Sequence, residues 1–404
     1  MINIFITALI LILIFEFIIQ FLVNIIKDDF QWLITQDDEF PEFKNKNINS
    51  FFRQSYNKKC GWLKKTLVIG YEKLKYRRTK FSTDKYGRRK SEYSNFKNKI
   101  EVYGDSYVFG RFVKDDQVWT EHVSRKVKFH IKNYGVGNYG FDQALLRYKY
   151  NKKDKGSKIV IIGFVPETLN RIQSVWKHYI EFGNIYGFKP RYIIENNKLK
   201  FFKTPISSKK DFKNLKKIKN KIDRYDKFYL KKFKKSQFRY PYTLSFFRNF
   251  KFNVQLFHAF IINSVSLNKI KKRKKLFPLY FKHNVRMANK LYNDYDSTFL
   301  FKKLIYKFVK LAKKRKNIPV LIVFPQKDDI DLYNKNKNLY GNFFNQIKKI
   351  KVINLTNFLS DKNLKKVYLD EDCGGHLSRY GNKLVADKIS KEIKNVLFQS
   401  KSAF

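Results

Sequence analysis

Hydrophobic and polar positions alternate along this chain in two distinct ways. Residues 2–26 are an almost unbroken run of Ile, Leu, Phe and Val, long enough to cross a bilayer as one helix. Residues 31–98 mix aromatic and basic side chains without a clear period and are expected to form a juxtamembrane segment. Beyond them, five short, β-branched runs bounded by turn residues predict buried strands at 100–104, 129–135, 158–164, 318–324 and 352–356. Between strands, apolar positions recur at three- and four-residue steps in "TEHVSRKV", "DSTFLFKKLIYKFVKLAKKRK" and "SRYGNKLVADKISKEIKNVLF", which predicts helices. Strands and helices alternating in this way give an α/β fold with a mostly parallel sheet covered on both faces.

About 150 residues separate the third and fourth strands, far more than a crossover needs, so an insertion with structure of its own is expected there. The predicted organisation is a transmembrane anchor at 1–30, the juxtamembrane segment at 31–98, an α/β domain divided into 99–172 and 317–404, and the insertion at 173–316.

The 404 residues carry 86 Lys and Arg against 34 Asp and Glu, with 41 Phe and 26 Tyr. Such a balance suits a polyanionic partner, whether acidic glycan, anionic lipid or nucleic acid. The insertion is the most basic part, with 26 Lys and Arg against three Asp over residues 201–290. Lys, Asn, Ile, Phe and Tyr are over-used together, however, as in a compositional bias of a whole proteome, so charge alone assigns no partner. Cys60 and Cys373 make no spacing pattern, which leaves no disulfide framework or zinc site to predict.

The apolar run reads as a single-pass anchor rather than a cleavable signal, because no basic region precedes it and no small-residue cleavage site follows. Glu16 lies deep within it at a cost of a few kcal/mol, which the surrounding Ile, Leu and Phe offset. It is either tolerated at the surface of a tilted helix or faces a partner. Lys27, Lys44, Lys46, Arg53, Lys58 and Lys59 follow the run and would put the body in the cytoplasm, but this excess is the chain's background. The side of the membrane stays open.

In open parallel sheets, ligands bind beyond the carboxyl ends of the strands. Gly104-Asp105-Ser106 stands there, after the first strand. Gly104 permits a sharp turn, Asp105 can fix it by accepting backbone hydrogen bonds, and Ser106 can project its hydroxyl into a cleft. After the second strand, Gly135, Gly137 and Gly140 let backbone approach a ligand closely and present N–H donors. Near the carboxyl end, "LDEDCGGHLSRYGNK" places His376 on a Gly-Gly turn, with Asp370, Glu371 and Asp372 before it and a helix capped by Ser378 after it. An imidazole returning from there to Ser106 could take its proton, with a carboxylate fixing the tautomer.

Taken in order, "GDSYVFG", "NYGVGNYGFDQALLRY", "IVIIGFVPETLNR" and "DEDCGGHLS" resemble the four blocks of the SGNH (GDSL-type) hydrolase family, in particular its membrane-associated bacterial branch. The resemblance covers roughly residues 99–172 and 317–398. It implies a flavodoxin-like five-stranded sheet, Ser106 as nucleophile, His376 as general base, and no cofactor or metal. It also implies an oxyanion hole built from the Ser106 N–H, the second block at Asn138 with Gly137 or Gly140 as substitutes, and a third-block Asn. The family's oxyanion glycine falls on Asn138. Alignment by the strand puts Glu167 where the third-block Asn belongs, with Asn170 the nearest amide. The acid usually three residues before the histidine is replaced by Cys373, which leaves Asp372, with Asp370 in reserve.

The expectation is a serine esterase or acyltransferase held at a membrane, acting on an acyl group, acetyl by preference, of a cell-envelope polysaccharide. Its rival is a non-catalytic membrane protein that keeps the fold and binds a polyanion through the insertion. A nucleic-acid enzyme is disfavoured, because no acidic metal cluster appears.

Overall fold

The computed structural model describes residues 2–29, 32–74, 77–151, 156–264, 269–369 and 375–401. Helix α1 (Ile2–Asp29) opens the chain. The α/β domain then runs β1 (Lys99–Gly104), α2 (Ser106–Phe109), α3 (Trp119–Val127), β2 (His130–Gly135), α4 (Phe141–Tyr150), β3 (Ser157–Phe164) and α5 (Thr168–Arg171). Within the long insertion lie α6 (Tyr242–Arg248), α7 (Phe250–Ser264) and α8 (Lys269–Leu291). The chain returns to the sheet through α9 (Tyr295–Lys314), β4 (Ile318–Val323) and β5 (Lys351–Asn354), and closes with α10 (Arg379–Lys401).

All five predicted strands form, and all pair in parallel in the order β5-β4-β3-β1-β2. This is the flavodoxin-like order, with its reversal beside β1. Strand alternation divides the apolar side chains between two layers. Ile100, Val102, Ile159, Ile161, Val320 and Ile322 face Trp119 and Val123 of α3 and Val385 and Ile389 of α10. Tyr103, Val160, Ile162, Leu321 and Val323 face Leu145 of α4 and Phe301, Leu304 and Phe308 of α9. Each such side chain taken fully out of water contributes about 1.5–3 kcal/mol, and burial on both faces explains why the runs read as continuous rather than alternating.

The expected insertion is present, but its last helical pattern, α9, covers the sheet as the crossover between β3 and β4. The remainder builds a separate core around Val175, Trp176, Tyr179, Phe212, Ile222 and Phe233. Ile34 and Ile48 of the juxtamembrane segment belong to that core, and Ile34–Thr35 pairs in parallel with Gln237–Phe238. Two stretches 200 residues apart thus fold as one layer above the sheet.

The segment before β1 is more structured than its sequence suggests. Strands Ile69–Leu74 and Arg77–Ser82 form an antiparallel pair. Arg89 is buried, pairs with Asp115 at 2.6 Å, and donates to the carbonyls of Phe109 and Gly110 at 3.0 and 2.7 Å. Those carbonyls end α2, so the guanidinium satisfies acceptors the short helix cannot satisfy itself.

Burial within the insertion pushes the His178 imidazole down to about 4, and His283 likewise to about 4. A base depressed in the folded state binds fewer protons there than in the unfolded chain, so stability is lost as pH falls from about 6.5 towards 4. Thermal melts should show a falling midpoint across this window. His178→Gln, which keeps a polar group near the Asp38 carbonyl, should flatten part of that fall.

Candidate active site

The strand ends β2, β1 and β3 are in register at Gly135, Gly104 and Gly163. A Cβ on Gly104 would lie 2.0 Å from the Gly163 carbonyl oxygen, and one on Gly135 would lie 2.2 Å from the Phe109 nitrogen. Only glycine at these positions lets α2 settle directly on the sheet. Asp105 then caps the helix. One carboxylate oxygen accepts from the Tyr107 N–H and the other from the Val165 N–H, both at 2.9 Å, so a single buried side chain fixes the turn and ties it to the end of β3. Ser106 occupies the first position of α2.

His376 arrives from the far end of the chain, and its Nε2 lies 2.8 Å from the Ser106 Oγ. Several contacts hold it there. The Tyr107 hydroxyl donates to the Gly375 carbonyl at 2.7 Å, the Tyr107 ring lies 5.0 Å from the imidazole, and Phe112 meets it edge-on at 5.5 Å. The Leu369 N–H donates to the His376 carbonyl at 2.8 Å. Asn382 of α10 accepts from the Trp119 N–H at 3.0 Å, fixing α10 against α3. The acid candidates Asp370 and Asp372, together with Cys373, lie outside the described residues.

Ser106 and His376 line a cavity of about 440 Å³ together with Asn138, Arg171, Trp32 and Phe281. Asn138 adopts φ 66°, the left-handed conformation that Asn tolerates better than other side chains bearing a Cβ, so it can hold a backbone shape otherwise left to glycine. Gly137 is not among the lining residues; its carbonyl accepts from the Trp62 indole at 3.1 Å.

The third block is arranged differently from expectation. Asn170 is buried but turned away, its amide donating to the Asn284 carbonyl of α8 at 3.0 Å. Glu167 does not line the cavity either, and pairs with Arg171 at 3.0 Å. Arg171 is the third-block side chain in the cavity, 3.5 Å from Asp105 and donating to the Tyr139 carbonyl at 3.2 Å. Burial opposes its charge, but Glu167 and Asp105 prevail and hold it more firmly protonated than usual. Its buried Nε has no hydrogen-bond partner among the described residues. The sequence signal for Arg171 was its four-residue spacing from Glu167, which places both on one side of a helical turn.

Lys232 of the insertion, buried, donates to Asn284 and to the Ile180 carbonyl. Burial pushes its ammonium down to about 7, against the pull of Glu167 and Glu181. Trp32 and Phe281, which roof the site 6.2 Å apart, come from the juxtamembrane segment and α8. No motif announced either.

No family model matches the sequence, and no curated protein matches it. Among solved structures, the chain is similar to a protein assigned to the lipolytic G-D-S-L family from Desulfitobacterium hafniense DCB-2. That match has 12% identity and a TM-score of 0.35, covering 73% of this chain and 98% of that one. It is also similar to a member of the lipolytic protein G-D-S-L family from Veillonella parvula DSM 2008, with 13% identity and a TM-score of 0.32, covering 72% and 94%. At those scores neither likeness speaks for this chain's chemistry.

Because Asp105 caps α2, ties it to β3 and faces Arg171, Asp105→Ala should cost roughly 2–4 kcal/mol in chemical denaturation. Asp105→Asn, which can still cap, should recover part of the loss.

Proposed function

We propose that this chain is a membrane-anchored serine esterase or acyltransferase of the SGNH type. The observation that carries the reading is the 2.8 Å contact between His376 Nε2 and Ser106 Oγ at the carboxyl edge of a parallel sheet, inside a cavity. In this mechanism His376 takes the proton as Ser106 Oγ attacks the ester carbonyl carbon. The tetrahedral intermediate then expels the alkoxide, which leaves with that proton, and an acyl-serine remains. Water, or a hydroxyl of an acceptor, is deprotonated by His376 in turn and attacks the acyl carbon to release Ser106. Hydrolase and transferase differ only in that second nucleophile.

The oxyanion is met by the Ser106 N–H, the Asn138 backbone and Arg171. Support for Arg171 is its place in the cavity wall beside Ser106, as a cationic group whose charge is held by two buried carboxylates. Glu167 is ion-paired to Arg171 and does not itself line the cavity. Asp372, with Asp370 in reserve, would orient the imidazole.

The substrate is an acyl ester, acetyl by preference, on a cell-envelope polysaccharide. The cavity's polar side chains and its Trp32 and Phe281 rings suit a sugar, whose hydroxyls need donors and whose apolar face needs a flat partner. Placement at a membrane is supported by α1, whose Asn3–Lys27 stretch includes an 18-residue window of mean hydropathy 2.7, long and apolar enough to span. Trp32 joins the cavity wall three residues beyond the end of α1, so the site would open at the bilayer surface.

On an activated acetyl ester, Ser106→Ala and His376→Ala should each lower kcat/KM by about 1,000-fold or more, and the double variant should lose little beyond either. Losses that add would contradict a shared proton path. Arg171→Lys keeps the charge beside Asp105 and Glu167 but removes the planar N–H, and should lose on the order of 100-fold in kcat with the fold intact. Asn170→Ala should leave kcat nearly unchanged; a large loss there would return the oxyanion role to Asn170.

A further inference from the structure

Glu16 lies eleven residues before Lys27 on α1, about 16 Å along the helix. Lys27 pairs with Asp38 at 3.1 Å, which marks the aqueous end of the span. In a hydrocarbon core about 30 Å thick, Glu16 is therefore near mid-depth. Its carboxylate is not left to lipid. The backbone N–H of Thr243 donates to it at 2.7 Å and that of Tyr242 donates as well. Both belong to α6, in the insertion. Whatever depth Glu16 reaches, the start of α6 reaches too.

We propose that residues 240–262 of the insertion are seated in the bilayer beside α1, so that the chain enters lipid at two elements. The inference rests on the reading of α1 as a membrane span. One side of α6 and α7 is already occupied: Phe246, Phe257 and Phe260 pack against Ile19, Val23 and Ile26 of α1. The other side is uncovered and carries large apolar side chains, interrupted on α7 by Lys251, Gln255 and His258. Tyr240 is 77% exposed, Leu244 62%, Phe247 55%, Phe250 51%, and Ile261 and Ile262 53% each. This face continues that of α1, where Phe17 is 76% and Phe21 64% exposed. In water, so large an apolar surface would be a liability; in lipid it is the expected exterior. The helical backbone satisfies its own N–H and C=O groups, as burial in hydrocarbon requires.

Charge selects the kind of bilayer. Arg239, Arg248 and Lys251 are exposed around the apolar residues, and no Asp or Glu occurs between positions 227 and 293. Arg239 follows the pair between Gln237–Phe238 and Ile34–Thr35, near the aqueous end of the span, where a long basic side chain can carry its charge to lipid phosphates. The occupant of this surface is thus an anionic phospholipid membrane. A consequence is that α1 cannot tilt or turn independently of the insertion, whose α8 carries Phe281 into the cavity roof.

The test places single nitroxide labels on the full-length protein, with Cys60 and Cys373 replaced, in vesicles of phosphatidylcholine and phosphatidylglycerol. Labels at Leu244→Cys, Phe247→Cys, Phe250→Cys and Ile261→Cys are compared with Leu13→Cys on α1 and Lys314→Cys, which ends α9 at the opposite edge of the sheet. Collision with lipid-soluble oxygen is measured against collision with a water-soluble nickel chelate. The oxygen-to-nickel ratio at the four insertion positions is expected to be several-fold above that at Lys314 and close to that at Leu13. If Leu13 reports lipid while the insertion positions match Lys314, the proposal is overturned and the anchor stands. If both probes are excluded at Phe247 and Phe250, a protein partner covers the face and the proposal is again overturned. If Leu13 itself reports water, the anchor reading fails and takes the proposal with it.

Discussion

Ser106 and His376 are 270 positions apart and meet at 2.8 Å, and much of the structure serves that contact. The serine is fixed from below. Three glycines in register at the strand ends let α2 lie on the sheet, and Asp105 locks the turn to β1 and β3 together. The histidine is fixed from the side, by the Tyr107 hydroxyl on the preceding carbonyl and by α10 held against α3. Tyr107 follows the nucleophile directly, so one residue links both halves of the pair. A shift of either strand end by a fraction of an ångström would reach the imidazole through packed groups that have no slack.

Above this base the site is closed by segments with no part in the sheet. Juxtamembrane residues and the insertion share a core, and between them they bring Trp32 and Phe281 over the cavity. The third block is tied into that layer through Asn170, Asn284 and Lys232. A buried lysine so strongly desolvated is costly to keep. Its bonds to the Ile180 carbonyl and to Asn284 give it a reason to stay, because they couple α8 to the loop that leads into the insertion.

The sheet was legible because its strands are buried on both faces and therefore read as unbroken β-branched runs. Ser106 and His376 were legible because turn residues isolate them at strand ends. Arg171 was not, since its importance depends on which way a four-residue helix turns, and Asn170 one position earlier offered the more familiar amide. Trp32 and Phe281 were invisible for a different reason: their role arises only when two segments 249 positions apart pack together. Glu16 illustrates the same limit. Sequence gave two fates for it, surface tolerance or a partner, and the partner is a pair of backbone N–H groups that no side-chain pattern encodes.

The central claim is that Ser106 is an activated nucleophile, and a fluorophosphonate probe tests it most directly because such probes phosphonylate serines made nucleophilic by a neighbouring base. Full-length protein in detergent should be labelled on the peptide containing Ser106, and labelling should vanish in Ser106→Ala and fall sharply in His376→Ala. A correctly folded wild-type protein that takes up no probe, or takes it up equally without His376, would contradict the account.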